Sequence, residues 1–291
     1  MLTFTELGSY GRFGNQLFQY AALKATAIKH NYTCKVPNFY NKSFHGQSCQ
    51  LGYLNIEADV LTEKDILSLR HNVIEPANCI PGQFYPTLLS KVEPNSNLFG
   101  FFQNTKYFSD FEQQIKKELS PRKELLQREE RRFRKETNNN KLVSLHIRTG
   151  DNVDGTNPIY KPYYGSGPFD SSCTVGNYVT KALDMFSPDY KIVVFVGGSR
   201  TGDDKSDILW AKKHFSDGKF IVSETNNPLM DFMRIMLCDH NIMSFASTFS
   251  WWATYLNPNP DKLTICPKNY LLETKYQDTQ EGFYPTNWIQ I

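Results

Sequence analysis

The sequence predicts an α/β protein of two domains, each opening on a strand that feeds a Rossmann-like unit. Three observations predict it. Near the N-terminus a strand, a glycine-bearing turn and an apolar helix follow one another. In the second half short apolar runs alternate with helical segments, the pattern of a parallel sheet covered on both faces. Between the halves stands Asn138-Asn139-Asn140, the best linker candidate, so the boundary is drawn there, giving domains 1–140 and 141–291. A chain of 291 residues is long enough for two such domains.

Leu2 to Leu7 reads as the first strand, with Leu2 and Phe4 on one face. It runs into Gly8-Ser9-Tyr10-Gly11-Arg12-Phe13-Gly14-Asn15-Gln16. Leu17, Tyr20, Ala21, Lys24, Ala25 and Ile28 then fall at helical spacing and predict a helix with a buried stripe. Cys34 to Val36 is a strand closed by Pro37. From Asn38 to Pro94 aromatic, Asn, Pro and Gly residues mix, and only a helix over Thr62–Leu69 is readable. Leu98 to Gln103 predicts a short strand and a turn. Ser109 to Thr137 is charged and helical, interrupted at Pro121, and its charges suit a solvated face.

The second half is cleaner. Leu142–Ile147 predicts a strand, followed by a long aromatic loop from Asn152 to Gly176. Helices are expected over Asn177–Phe186, Asp207–Phe215, Leu229–Cys238 and Phe249–Leu256. Strands are expected over Ile192–Val196, Phe220–Val222 and Asn241–Ser244, with Leu263–Ile265 as the last. The C-terminal tail is a candidate to pack back on the first domain.

Composition removes several classes. A net charge of +2 provides no general nucleic-acid footprint. Six cysteines are scattered without a Cys-x-x-Cys pair, so neither a zinc signature nor a compact disulfide framework is present, and reduced thiols are expected. No basic-then-apolar leader and no run of eighteen apolar residues occur, so a soluble, cytoplasmic protein without stable membrane insertion is expected. The glycines at 11 and 14 do not make a Gly-x-Gly-x-x-Gly fingerprint, which disfavours a dehydrogenase or epimerase.

Two strand exits carry chemistry. Ligands of open α/β sheets bind beyond the carboxyl ends of strands. At 146–151 a His, an Arg and an Asp arrive within six residues, with Gly150 allowing a sharp turn. The five-donor guanidinium of Arg148 suits phosphate, although an ion pair at an ordinary strand exit has the same composition. At 243–252 a strand meets a helix through Ser244, Ser247, Thr248 and Ser250. Hydroxyls there cap the helix or bind phosphate oxygens, and four around one turn favour a pyrophosphate site. Arg12, Asn15 and Gln16 present polar groups at the first helix entrance, where the glycines alone would serve a tight turn.

These residues carry a resemblance. Gly11-Arg12-Phe13-Gly14-Asn15-Gln16-Leu17-Phe18-Gln19-Tyr20-Ala21 resembles the N-terminal motif of the α-1,2-fucosyltransferases, glycosyltransferase family 11. His146-Ile147-Arg148-Thr149-Gly150-Asp151 resembles the His-x-Arg-Arg-x-Asp motif of α-1,2-, α-1,6- and O-fucosyltransferases. Phe99–Gln103 with Lys106–Phe108, Leu237–Asn241 with Ser247–Trp252, and Tyr284–Trp288 resemble other segments of the family, in family order along nearly the whole chain. Thr149 departs from the pattern, standing where a second Arg is usual, and the loop from Asn152 to Gly176 is unlike the family's.

The resemblance implies a GT-B-like fold, two Rossmann-like domains facing a cleft. The acceptor would lie on the 1–140 side and the GDP-sugar on the 141–291 side. It implies inverting transfer of L-fucose from GDP-fucose to a glycan acceptor, at O-2 of a galactoside, by a soluble bacterial- or viral-type enzyme. No cofactor and no metal are expected, because Asp-x-Asp is absent and Asp203-Asp204-Lys205 lies in a polar loop. Arg148 would then meet the charge growing on the β-phosphate. Ser247, Thr248, Phe249 and Ser250 would hold the rest of the phosphate site. Asp231 is a candidate partner for guanine donors, or a stabiliser of its own helix start. Arg12 and Asn15 would reach the donor or acceptor. Asp151 would act as base or orient Arg148, and His146 is either structural or catalytic. The alternatives are another GDP-sugar or linkage on the same scaffold, or a non-catalytic glycan- or nucleotide-binding module.

Overall fold

A computed structural model describes residues 1–150, 161–198, 205–272 and 281–291. They group into two compact units. The first is Met1–Arg122 with residues 281–286, and the second begins at Lys123 and takes in residues 287–291.

In the first unit β1 (Leu2–Thr3) leads through the glycine turn into α1 (Phe13–Lys29) and β2 (Cys34–Val36). A small antiparallel pair follows, β3 (Ser43–Phe44) and β4 (Gln47–Ser48). Then come β5 (Asp59–Val60), α2 (Glu63–Leu67), β6 (His71–Ile74), β7 (Ser96–Phe99) and α3 (Glu112–Leu119). Five of these strands form a parallel sheet in the order β5-β2-β1-β7-β6. The first strand is shorter than expected because the chain turns at once, Leu7 N–H donating to Phe4 C=O at 3.0 Å. The start of α2 was readable because Thr62 and Asp65 form a capping box. β6 was not readable, since His71, Asn72 and Ile74 are exposed and leave no apolar alternation. Glu118, fully buried on α3, accepts from Lys24 at 3.0 Å and from the Tyr20 hydroxyl, fixing α3 on α1.

The second unit holds α4 (Lys123–Glu136), β8 (Lys141–Arg148), α5 (Thr174–Leu183), β9 (Tyr190–Gly197), α6 (Lys205–His214) and β10 (Phe220–Val222). It continues with α7 (Pro228–Leu237), β11 (His240–Ile242), α8 (Thr248–Tyr255), β12 (Thr264–Cys266) and β13 (Ile289–Gln290). All neighbours in the sheet β10-β9-β8-β11-β12-β13 are parallel. Val143, Leu145, Ile147, Ile192, Val194 and Val196 pack with Val179 and Ala182 of α5 and Ala211 of α6. Leu263–Ile265 was expected as the last strand, but β13 extends the sheet beyond β12. α5 begins three residues earlier than expected because the Cys173 thiol caps it, accepting from Gly176 N–H at 3.4 Å. All six cysteines are free thiols, and among the described residues no helix is long and apolar enough to cross a membrane.

The division between units falls at Arg122/Lys123, earlier than the asparagine run. Asn138 and Asn139 have φ of 52° and 54°, and Asn139 N–H donates to Arg134 C=O at 2.9 Å. They close α4 in the left-handed conformation that asparagine tolerates. α4 itself is fixed on α7. Arg234 pairs with Glu129 at 2.6 Å and Glu136 at 2.8 Å, and its guanidinium lies 5.1 Å from the Phe133 ring centre. Arg234 and Glu129 are both buried. Removing one member of a buried pair leaves a charge without compensation, so Arg234→Met should lower stability by about 3–5 kcal/mol. Adding Glu129→Gln should restore much of that loss. Guanidinium chloride denaturation checks both; equal stabilities for the two variants would contradict the assignment.

Candidate active site

Parallel pairing brings the carboxyl ends of β8, β9, β10 and β11 to one edge of the second sheet. Arg148 closes β8 there, half-buried, and is held from several directions. Its N–H donates to Ser244 Oγ at 2.8 Å, and its C=O accepts from the Tyr164 hydroxyl at 2.5 Å. Its Nη1 donates to Ala246 C=O at 2.6 Å. Ala246 has φ 46°, a left-handed conformation costly for alanine, and its N–H is tied to Tyr270 C=O at 2.8 Å. Gly198, at φ 126°, lies against the side chain, and a Cβ there would come within 3.2 Å of Arg148 Cγ.

The serines beside it build the turn. Ser247 caps α8, its Oγ accepting from Ser250 N–H at 3.2 Å. Ser250 Oγ donates to Ser247 C=O and accepts from Ser244 N–H, both at 3.3 Å. Ser244, Ser247 and Ser250 are buried, while Thr248 and Phe249 in the first helical turn are half-buried. That turn carries the partial positive charge of a helix N-terminus. The Phe249 ring is wedged between His146 at 5.6 Å and Phe232 at 5.5 Å.

His146, on β8, is buried, and its Nδ1 has no hydrogen-bond partner among the described residues. Burial first, and then the charge of Arg148, push its imidazole down to about 3. It is therefore a neutral ring through the physiological range, unsuited to carrying a proton there. Asp231 lies in the first turn of α7, which Asn227 caps. Its Oδ1 accepts from Ser223 Oγ at 2.6 Å, just past β10. β10 is two strands from β8, roughly 10 Å along the sheet edge at ordinary strand spacing. Among the described residues no group of three or more His, Cys, Asp or Glu side chains is arranged to hold a metal. Asp151, Asp203 and Asp204 lie outside the described residues.

Arg12 and Asn15 belong to the first unit. Arg12 is the N-cap residue of α1, and both side chains are half-buried. The loop before them is clamped by α1's own glutamines. Gln16 Nε2 donates to Gly11 C=O at 2.8 Å, and Gln19 Nε2 to Tyr10 and Gly100 C=O at 3.0 and 3.2 Å. A Cβ on Gly11, φ 77°, would sit 2.8 Å from Asn15 Cβ, so this position needs glycine. Asn15 Oδ1 accepts from Gln103 Nε2 at 2.9 Å.

The model of the family described as "Glycosyl transferase family 11" matches residues 3–291. The chain belongs to glycosyl transferase family 11. An alpha-1,2-colitosyltransferase of Escherichia coli is 24% identical over 97% of this chain and 96% of its own length. Galactoside alpha-(1,2)-fucosyltransferase 1 of Sus scrofa is 26% identical over 97% of this chain and 73% of its own. Among solved structures, POFUT1 in complex with GDP matches at 14% identity and a TM-score of 0.52, over 91% of this chain and 97% of that one. That likeness concerns the fold, which is α/β, with parallel sheets, and GT-B-like.

In this family 11 chain, Thr149 has a structural task. It is fully buried, its N–H donates to Gly197 C=O at 2.9 Å and its Oγ1 accepts from Gly197 N–H at 3.1 Å. The side chain thus holds the end of β9 next to Gly198 and adds no charge to the site. Ser244 and Ala246 lie inside the hydroxyl-rich stretch and Gln103 inside a segment that resembles the family, but nothing local marked Tyr164. For His146 the sign of the pH effect is fixed. The unfolded imidazole takes up a proton near pH 6.5, the folded one only near 3, so this stabilisation is full above 6.5 and lost as pH falls through that window. His146→Leu should therefore remove up to about 1.4 kcal/mol per pH unit of acid sensitivity. Denaturant titrations near neutrality and at mildly acidic pH measure it; parallel losses in variant and wild type would contradict the burial argument.

Proposed function

We propose that this family 11 glycosyltransferase transfers L-fucose from GDP-fucose to a glycan hydroxyl, O-2 of a galactoside, with inversion and without a metal. The names of the galactoside fucosyltransferase relatives support the donor sugar and the acceptor class. The observation that carries the mechanism is the Arg148 guanidinium held at a strand end beside the α8 N-terminus.

As the bond from the anomeric carbon to the β-phosphate oxygen breaks, its electron pair stays on that oxygen. A fixed guanidinium stabilises this charge without reorganising, and the first turn of α8 adds its dipole. Asp231, roughly two strand spacings away, is the carboxylate for the guanine N1–H and N2–H₂ donors. The acceptor oxygen attacks from the opposite face and inverts the centre. Its proton goes to a carboxylate or to the departing phosphate, and Asp151 is the carboxylate in sequence reach of Arg148. The colitosyltransferase relative carries a second reading, a different sugar donor on the same scaffold, which a donor panel separates.

Arg148→Ala should keep the melting temperature within a few degrees and lose transfer by roughly 10²-fold or more. Arg148→Lys should restore little, since a point ammonium lacks the guanidinium fork. In the same assay EDTA should leave the initial rate unchanged. Near-normal turnover in the alanine variant, or collapse on chelation with recovery in magnesium or manganese, would overturn this mechanism. Asp151→Asn distinguishes its two roles. A base predicts normal GDP-fucose binding with slower turnover and a lost acidic limb, whereas an organiser of Arg148 predicts weaker GDP binding as well. Unaltered binding and turnover would remove Asp151 from the site.

A further inference from the structure

At the carboxyl edge of the first unit's sheet, β7 ends at Phe99 and the chain turns through Gly100 and Phe102, whose φ are 156° and 50°. The turn is fastened from below. Glu75, buried, accepts from Phe101 N–H at 2.7 Å and from Phe102 N–H at 3.2 Å, and no Cβ fits on Gly100 above it. Between this turn and the segment after β6 lies a pocket of about 380 Å³, within the range of small-molecule sites.

Two features of its lining select a ligand. Tyr10 is stacked between Phe99 and Phe101, with ring centres 4.7 and 4.8 Å apart, and all three rings are half-buried and line the pocket. An aromatic face is the negative end of a quadrupole and suits the weakly positive C–H face of a sugar ring. The second feature is Gln103, 7% exposed, also in the lining. Its Nε2 is committed to Asn15, and its buried Oε1 has no hydrogen-bond partner among the described residues. A buried amide oxygen without a partner is an acceptor suited to a hydroxyl donor. Among the described residues the lining contains no Lys, Arg or His, and its one charged side chain is the Glu75 carboxylate, so a nucleoside diphosphate is a poor occupant.

We propose that this pocket is a pyranose-binding subsite that holds a neutral acceptor sugar, one ring face on the aromatic ladder and one hydroxyl donating to Gln103 Oε1. The inference rests on the glycosyl-transfer reading above for its acceptor role. Gln103 would then link the bound sugar to Asn15 at the entrance of α1.

Saturation-transfer NMR with methyl β-D-galactopyranoside, the full chain and no donor tests the pocket directly. The wild type should saturate the sugar's ring protons, and Phe101→Ala should abolish the effect. Ile80→Trp, which fills the pocket from another lining position, guards against loss of fold in the first variant. In transfer assays both variants should raise the acceptor KM by about ten-fold or more, while GDP-fucose affinity stays within about two-fold. No saturation in the wild type, full saturation in a folded Ile80→Trp variant, or equal losses of donor and acceptor affinity would overturn the proposal. A wild type that binds the sugar but transfers no fucose would defeat the functional reading and leave the pocket standing.

Discussion

The Ala246 carbonyl, turned by a left-handed backbone, meets the Arg148 guanidinium at 2.6 Å, and the rest of that sheet edge is built to keep the pair in register. A guanidinium at the end of a strand has many rotamers, and ordering it in solvent is costly. Here the main chain of Arg148 is bonded on both sides, by Ser244 and Tyr164, and Gly198 lets its stem lie flat against the neighbouring strand. Thr149 fastens that neighbour in turn. A cation held this way is a better electrostatic partner than a mobile one, because the ordering is done before any ligand arrives.

The first unit solves a related problem with different groups. Its strand ends are fixed by side chains bonding to loop main chain: Gln16 and Gln19 to the glycine loop, Glu75 to the turn after β7. None of these is a cation. The same parallel architecture thus carries a clamped guanidinium at the strand ends of one unit and an aromatic, amide-bearing pocket at those of the other. Topology determines where a site forms, and the side chains at the strand ends determine what it recognises.

Much of the second unit was legible because its strands are continuous apolar runs and its helices carry local stop and start signals, such as Asn227-Pro228 before α7. Arg148 and the 244–250 turn were legible as chemistry for the same reason, lying where a strand must end. What sequence did not reveal depends on distant partners. Gln103 meets Asn15 across 88 positions, and Arg148 meets Ala246 across 98. β6 is too exposed to show a pattern, and β13 is too short. The charges of α4 suited a solvated face, yet Glu129 and Phe133 are buried because Arg234 is there to receive them. The hydroxyl run was half understood: its serines make the turn's own hydrogen bonds.

Phe283 is fully buried in the first unit, stacked 6.1 Å from Phe18 of α1, while Asn104 and Thr105 bond to the carbonyls of Glu281 and Gly282. These partners follow all of the second unit except its residues 287–291 in the chain. During synthesis the first unit therefore emerges with a gap in its core that nothing made so far can fill. It must wait, incompletely packed, until residues 123–272 have been translated and the segment 281–286 comes free of the ribosome. Its final packing is a late event, although most of its residues are made first.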